Sequence, residues 1–372
     1  VKFSSANKTL FLTLRIFSAT GGIEKVCRIF GKALYEGCLN LKQGFEVCSM
    51  YDTDADAADN IYFPSENFKG FGIAKFLFIL KMLPKGIKSS TVILSHINLL
   101  PVGWLIKKLS PKTNLVLLAH GIEVWEPIGK RKRQMLNTCD KIVAVSNFTR
   151  NKIIAIHGIA LAKCRVLNNC LDPFLPLPTV VAKDQDLLNR YGFNTSDKIL
   201  MTLSRLSSKE RYKGYDNVIE SIAGLGADGE NIKYLIAGSY DADEKKYLDE
   251  LLQKLGLQDN IVMPGFIPDE ELEAHFAMAD IYIMPSRKEG FGIVFIEAMY
   301  YGVPVIGGNM DGSVDALLNG ELGQLVNPEN IDEIRSAIQK ILSDKKTFMP
   351  NRALLYEHFS YERYKWNLEM IG

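Results

Sequence analysis

Short apolar runs and helix-period stretches alternate along almost the whole chain. Lys8 to Phe17 reads as a strand, and the loop SATGG then opens a helix in which Ile23, Val26, Ile29, Phe30, Ala33 and Leu34 keep a 3.6-residue period. FEVCSMY, TVILSHINLL, NLVLLAHGIEVW and DKIVAVS supply further strand-like runs. The pattern lapses in CRVLNNCLDPFLPLPTV, where Pro173, Pro176 and Pro178 mark a linker. It restarts with KILMTLS, YKGYDNVIESIAGL, KYLIAGS, EKKYLDELLQKLG, NIVMPGF, DEELEAHFAMAD and IYIMP. Repeated β-α alternation predicts parallel sheets with helices on both faces. The expected fold class is therefore α/β, with two Rossmann-like, doubly wound domains. We set them at residues 1–172 and 173–354, facing across a cleft where a ligand would sit.

Composition changes this picture little. At 372 residues the chain has room for two ordinary domains, and 47% hydrophobic with 23% charged residues is globular. A net charge of +1 offers no field for nucleic acid, which is excluded as an expected partner. Cys27, Cys38, Cys48, Cys139, Cys164 and Cys170 form neither a C-x-x-C pair nor a zinc-spaced Cys/His cluster. Most fall inside apolar runs and read as buried free thiols of a reducing compartment. The start, VKFSSANKTLFLTLRIF, is basic and apolar but lacks a small-residue cleavage site, so it reads as the first strand and not as a signal peptide. No apolar run reaches membrane-spanning length. The expected location is cytoplasmic.

The richest chemistry lies in Ser286 to Pro304, SRKEGFGIVFIEAMYYGVP. IYIMP leads in as a buried strand, Arg287 to Gly292 make a turn, and an apolar-periodic helix follows, closed by Gly302. Such a helix start presents free N–H groups at the positive end of the helix dipole and suits phosphate. Glu289 lies in the turn and Glu297 in the helix, with seven residues between them. Carboxylates repel phosphate but accept from sugar hydroxyls. A ligand with hydroxyls at both ends and charge in the middle reconciles the two, and a nucleotide sugar is such a ligand. Two solvated glutamates on an ordinary strand-turn-helix would give the same spacing.

EGFGIVFIEAMYYGVPVI resembles the E-x7-E signature of the retaining glycosyltransferases of family 4, which have the GT-B fold. The resemblance covers nearly the whole chain, strongly over 198–330 and weakly over 40–110, where acceptors are read. It implies that Glu289 contacts the hydroxyls of the donor sugar and Glu297 the ribose. It further implies that Arg287 and the stretch Gly290, Phe291, Gly292, Ile293 and Val294 meet the donor, largely through backbone. MTLSRLSSKERYKGYDNVIES resembles the family's R…K-G segment, so Arg205 and Lys213 are implied to hold the diphosphate. The extra residues between them leave Lys209 and Arg211 as competitors for the lysine's role. AHGIEVW resembles the family's N-domain histidine motif, which implies a sugar contact for His120 and ranks it above His96. Gly21 and Gly22 are implied to lie beside the donor phosphate, and Gly265 and Phe266 beside the base. NMDGSVDALLNGELGQLVNP stands where many relatives have a simpler G-G-x-x-E segment. The last helix, over 355–372, is implied to cross back onto the first domain.

Several features keep two readings. Asp52-Thr53-Asp54 has the form of a D-x-D metal motif, but an Asp-rich loop is also an ordinary solvated turn. FKGFGIAKFLFILKMLPKGIK is either an interfacial amphipathic helix or one that covers the first sheet. The cluster Lys130 to Arg133 is either a solvated helix face or a contact for anionic lipid. The reading the residues and the resemblance favour is a retaining glycosyltransferase that needs no cofactor and no metal. It would move a hexose from a UDP- or GDP-sugar to a glycan or lipid-linked acceptor in cell-surface polysaccharide synthesis, with peripheral contact at the inner face of the membrane. Alternatives are a nucleotide-sugar-binding subunit of a membrane assembly that no longer turns over, or a nucleotide-sugar epimerase of the same architecture.

Overall fold

The computed structural model describes residues 4–179, 182–226 and 231–371. Residues 1–3 of the expected first strand, Val180 of the linker and Gly372 of the last helix lie outside the described residues. The chain divides into two compact units. One ends at Pro173 and takes back the segment from Tyr361, and the other runs Phe174–Ser360.

The first unit holds β1 (Ser4–Thr13), β2 (Gln43–Ser49), β3 (Phe68–Gly70), β4 (Thr91–Leu94), β5 (Asn114–Ala119), β6 (Lys141–Ala144) and β7 (Cys164–Val166). They form one sheet in the order β3-β2-β1-β4-β5-β6-β7, with every pair parallel. The second unit holds β8 (Lys198–Leu203), β9 (Ile232–Ala237), β10 (Ile261–Gly265), β11 (Ile281–Met284), β12 (Val305–Gly308) and β13 (Gln324–Val326). Their order is β10-β9-β8-β11-β12-β13, again all parallel. Crossover helices cover both faces of such a sheet, so its strands are apolar throughout instead of alternating. All four residues of β11, Ile-Tyr-Ile-Met, are buried accordingly.

Two elements differ from the sequence reading. The first strand stops at Thr13 and does not continue to Phe17. The buried Asp52 carboxylate accepts from Ile16 N at 2.7 Å and Ser18 N at 2.8 Å, and this draws the chain out of the sheet. The C-terminal pattern is two helices, Arg352–Phe359 and Tyr361–Ile371, parted at the extended Ser360. The earlier helix stays with the second unit, where Phe359 meets Phe291 edge-on with ring centroids 5.6 Å apart. The later one belongs to the first unit: the Tyr361 hydroxyl donates to Glu36 at 3.1 Å, and Lys365 pairs with the same carboxylate at 3.1 Å. All six cysteines are free and buried. Burial raises every one of these thiols above the ordinary range, which makes them poor nucleophiles.

Candidate active site

In the second sheet the strand order reverses between β8 and β11. The chain leaves these adjacent strands toward opposite sides, so the loops at their carboxyl ends part and leave a crevice, the usual ligand position in such sheets. Arg205 follows β8, and Arg287 to Gly292 follow β11. The strongest candidates therefore flank the switch point.

Two close approaches hold these loops together. Arg287 N donates to the Tyr212 carbonyl at 2.8 Å. Gly214, at φ +81°, lies so near the Pro285 carbonyl that a Cβ would sit 2.3 Å from its oxygen. Only glycine fits there, which explains the K-G pair. The result is an ion pair between Lys213 Nζ and the Glu289 carboxylate, with 15% and 18% of the two side chains exposed. Burial works against the charge on Lys213, but Glu289 outweighs it and keeps the lysine above its ordinary pKa.

The other cations divide clearly. Arg205 is three-quarters exposed and pairs with Glu210 at 2.5 Å. Arg211 turns away: its Nε donates at 2.8 Å to Glu244, a buried carboxylate, and its guanidinium lies 3.6 Å from the centre of the Tyr247 ring. Arg211 thus serves packing between the turn and the Ala242–Leu255 helix. The half-buried Tyr212 phenol marks the centre of the cluster. Burial raises its pKa first, and the charges of Lys213, Glu210, Glu289 and Arg205 all act on it.

The Ile293–Tyr300 helix starts at Gly292, φ +81°, with no side-chain cap. Phe295 N donates to the Gly292 carbonyl at 3.0 Å, and no side chain caps the amides ahead of it. Ile293 and Val294 are half-buried, whereas the Phe291 side chain is in the core, so Phe291 offers the site only its backbone. Glu297 lies on the same helix and is almost wholly buried. Gly265 and Phe266 stand at the end of β10; Gly265 has φ +84° and Phe266 is 55% exposed.

The sequence reading missed Asp311. This fully buried carboxylate accepts from Ser286 Oγ at 2.6 Å, Glu289 N at 2.7 Å and Ser313 N at 2.9 Å. Gly312 N donates to the Glu289 carbonyl at 2.8 Å, and a Cβ on Gly312 would come within 2.0 Å of the Gly290 oxygen. The turn bearing Glu289 is clamped from beneath by Asp311-Gly312-Ser313. Burial raises the Asp311 pKa to about 6, with the Ser286 and Ser313 hydrogen bonds opposing. Its sequence signal was the D-G-S that replaces a plainer glycine pair after β12.

In the first unit, His120 follows β5 and is buried. Its Nε2 donates to the Ser95 carbonyl at 2.8 Å, which places the proton on that nitrogen, and its backbone N–H donates to Glu123 at 2.6 Å. Gly21 and Gly22 open the Gly22–Asn40 helix, again without a side-chain cap. A Cβ on Gly22 would meet nothing within 4 Å. The Asp-x-Asp carboxylates are occupied: Asp52 holds the loop after β1, and Asp54 binds Lys69 and Gly70 N.

Comparison with known proteins identifies the family. The family model "Glycosyltransferase Family 4" matches residues 20–173, and "Glycosyl transferases group 1" matches 184–364. The GDP-mannose-dependent alpha-(1-6)-phosphatidylinositol monomannoside mannosyltransferase of Mycolicibacterium smegmatis is 30% identical over 268 residues, 68% of this chain and 66% of that protein. Mannosylfructose-phosphate synthase of Agrobacterium fabrum is 25% identical over 217 residues, 57% of this chain and 47% of the relative. The matches thus span just under two thirds of the mycobacterial relative and about half of the synthase. Among solved structures, Anabaena HepE in complex with UDP-glucose superposes with a TM-score of 0.79 at 19% identity, over 98% of this chain and 99% of that one. Sucrose-phosphate synthase of Thermosynechococcus elongatus gives 0.74 at 19% identity, over 98% of each; both are likenesses of fold. Two family models that between them take in both units, with two parallel sheets of this order, make the chain a member of the GT-B glycosyltransferases of family 4 type.

Proposed function

We propose that this protein is a retaining, metal-independent glycosyltransferase. It moves a hexose from a UDP- or GDP-sugar to a hydroxyl of a glycan or lipid-linked acceptor in cell-surface polysaccharide synthesis. The observation that carries the reading is the Lys213–Glu289 pair beside the uncapped start of the Ile293–Tyr300 helix. It sets a cation, a carboxylate and a helix start without a side-chain cap around one crevice, as diphosphate and hexose together require.

Departure of a nucleoside diphosphate builds negative charge on its β-phosphate oxygen, and fixed cations and amides meet that charge without reorganising. In the proposed reaction the sugar C1–O bond breaks toward that phosphate. The acceptor oxygen bonds to C1 on the same face, and its proton passes to the departing phosphate oxygen. No protein nucleophile is needed. Lys213 and Arg205 neutralise the diphosphate, Glu289 holds sugar hydroxyls, Glu297 the ribose, and His120 a sugar hydroxyl. The names of relatives favour GDP-mannose as the first donor to try.

Arg205 is exposed, so its replacement tests chemistry with little effect on folding. We expect Arg205→Ala to lower release of GDP from GDP-mannose, or of UDP from UDP-glucose, at least 10²-fold, the range for loss of one charge stabiliser. Full activity in that variant would remove Arg205 from the site.

A further inference from the structure

The Lys75–Ile87 helix of the first unit is apolar on two sides. One side, with Phe78, Met82 and Gly86, is buried, and Phe71 meets Phe78 edge-on at 5.3 Å. The opposite side carries Phe76, Leu77, Leu80, Pro84 and Ile87 at helical spacing, with Ile73 in the turn just before the helix, and all six are exposed. Ile73 is 87% and Phe76 85% accessible. A surface helix of a globular protein ordinarily turns charged residues to solvent on that side. An apolar stripe of this length marks an interaction surface.

The charge around the stripe indicates what covers it. From Asn67 to Ile122 the chain has eight lysines and no aspartate or glutamate, although its net charge is only +1. Lys75, Lys81 and Lys88 are exposed along the helix, and Lys81 and Lys88 have no acidic partner among the described residues. Lys69 is held by Asp54, and Lys85 by Glu46, on the flanks. The helix packs on Leu100–Leu109, which carries exposed Leu105, Lys108 and Leu109. That helix in turn packs on Lys130–Asn137, with exposed Lys130 and Arg131. Apolar and cationic groups therefore continue across three neighbouring helices.

We propose that this face docks on an anionic bilayer surface. Ile73, Phe76, Leu77 and Leu80 enter the headgroup–acyl boundary, and the lysines meet lipid phosphates. At 13 residues and 1.5 Å per residue the helix is about 20 Å long, too short to cross a bilayer, so it lies in the interface. A second copy is a poor occupant, because a two-fold contact would set lysine against lysine. A fluid bilayer needs no matching groove. Docking would bring a lipid-linked acceptor to the enzyme, but the surface itself does not require the transfer reading.

Vesicle co-sedimentation of the whole protein tests the proposal, with the substitutions placed on exposed residues of the first unit that have no part in the candidate site. Wild type is expected to bind vesicles of equal parts phosphatidylcholine and phosphatidylglycerol, and to bind less as salt rises. Phe76→Ser with Leu80→Ser should weaken binding at least tenfold, with no loss in melting temperature. Lys81→Gln and Lys88→Gln should each weaken it about fivefold. Equal binding to pure phosphatidylcholine, or unchanged binding in both sets of variants, would overturn the proposal. So would a wild-type dimer that the Phe76→Ser, Leu80→Ser variant dissociates. Release of nucleoside diphosphate in vesicle-free buffer should be the same in variants and wild type. Its absence in wild type would count against transfer and leave docking standing.

Discussion

Lys213→Ala is expected to lower turnover about 10³-fold, the upper range for loss of a single group that stabilises developing charge. It should also destabilise the fold. Removing one partner of a fully buried ion pair costs about 3–5 kcal/mol. With 15% and 18% of these side chains exposed, solvent reduces the cost to about 2 kcal/mol. The two effects separate in a second variant. Lys213→Met with Glu289→Gln leaves no unpaired charge, so its melting temperature should return close to that of wild type while turnover stays low. Nucleoside diphosphate release and thermal melting measure both quantities on the same samples. Recovery of turnover in the double variant would mean that the pair acts only as a structural brace.

The second large effect concerns Asp311. Replacing it by alanine strands three donors, Ser286 Oγ, Glu289 N and Ser313 N, and should cost about 3 kcal/mol or more. Turnover should fall at least tenfold because Glu289 loses its clamp. Asp311→Asn separates charge from shape and gives a pH signature. The folded pKa of about 6 lies above the ordinary value of 3.8, so the folded protein binds the proton more tightly than the unfolded chain. The stability this group contributes is therefore full below pH 3.8 and lost as pH rises through about 6. Relative to Asp311→Asn, wild type should gain about 2 kcal/mol between pH 7 and pH 4, most of the energy of a shift of about two pKa units at 1.36 kcal/mol each, because the unfolded aspartate is itself partly protonated at pH 4. Melting curves of both proteins across that range measure the difference. A constant difference would place the Asp311 carboxyl in a more polar setting than its buried position implies.

What could be read from the chain depended on how locally each feature is determined. The strands of the second unit were legible because a doubly covered parallel strand is a short apolar run, as in IYIM. The strand, turn and helix around Glu289 were legible because an apolar run and its glycines lie within one short stretch, whereas Arg205 and Lys213 were reached only through the resemblance of their segment to the family's R…K-G pattern. Asp311 was not, because its meaning arises only where the loop after β12 meets the turn after β11, 22 residues earlier at Glu289. Asp52 hid for the same reason: D-T-D looks like a solvated turn or a metal motif until its carboxylate is seen holding Ile16, 36 residues away. The competition among Lys209, Arg211 and Lys213 had no local solution either. The buried Glu244 takes Arg211, and that contact spans 33 residues. For the Lys75–Ile87 helix, the sequence showed an apolar segment interspersed with lysines, which fits an interfacial helix or one that covers the sheet, and could not tell which side the sheet would cover.

The central claim is that protein cations carry out charge neutralisation that a divalent metal would otherwise supply. Thermal melting with GDP-mannose and UDP-glucose in EDTA tests it most directly. The cognate donor at 100 times its Kd should stabilise the wild type by about 2.7 kcal/mol with no metal present. That gain should vanish in Lys213→Ala and shrink in Arg205→Ala. Stabilisation absent in EDTA but restored by Mn²⁺, or undiminished in both variants, would contradict the account.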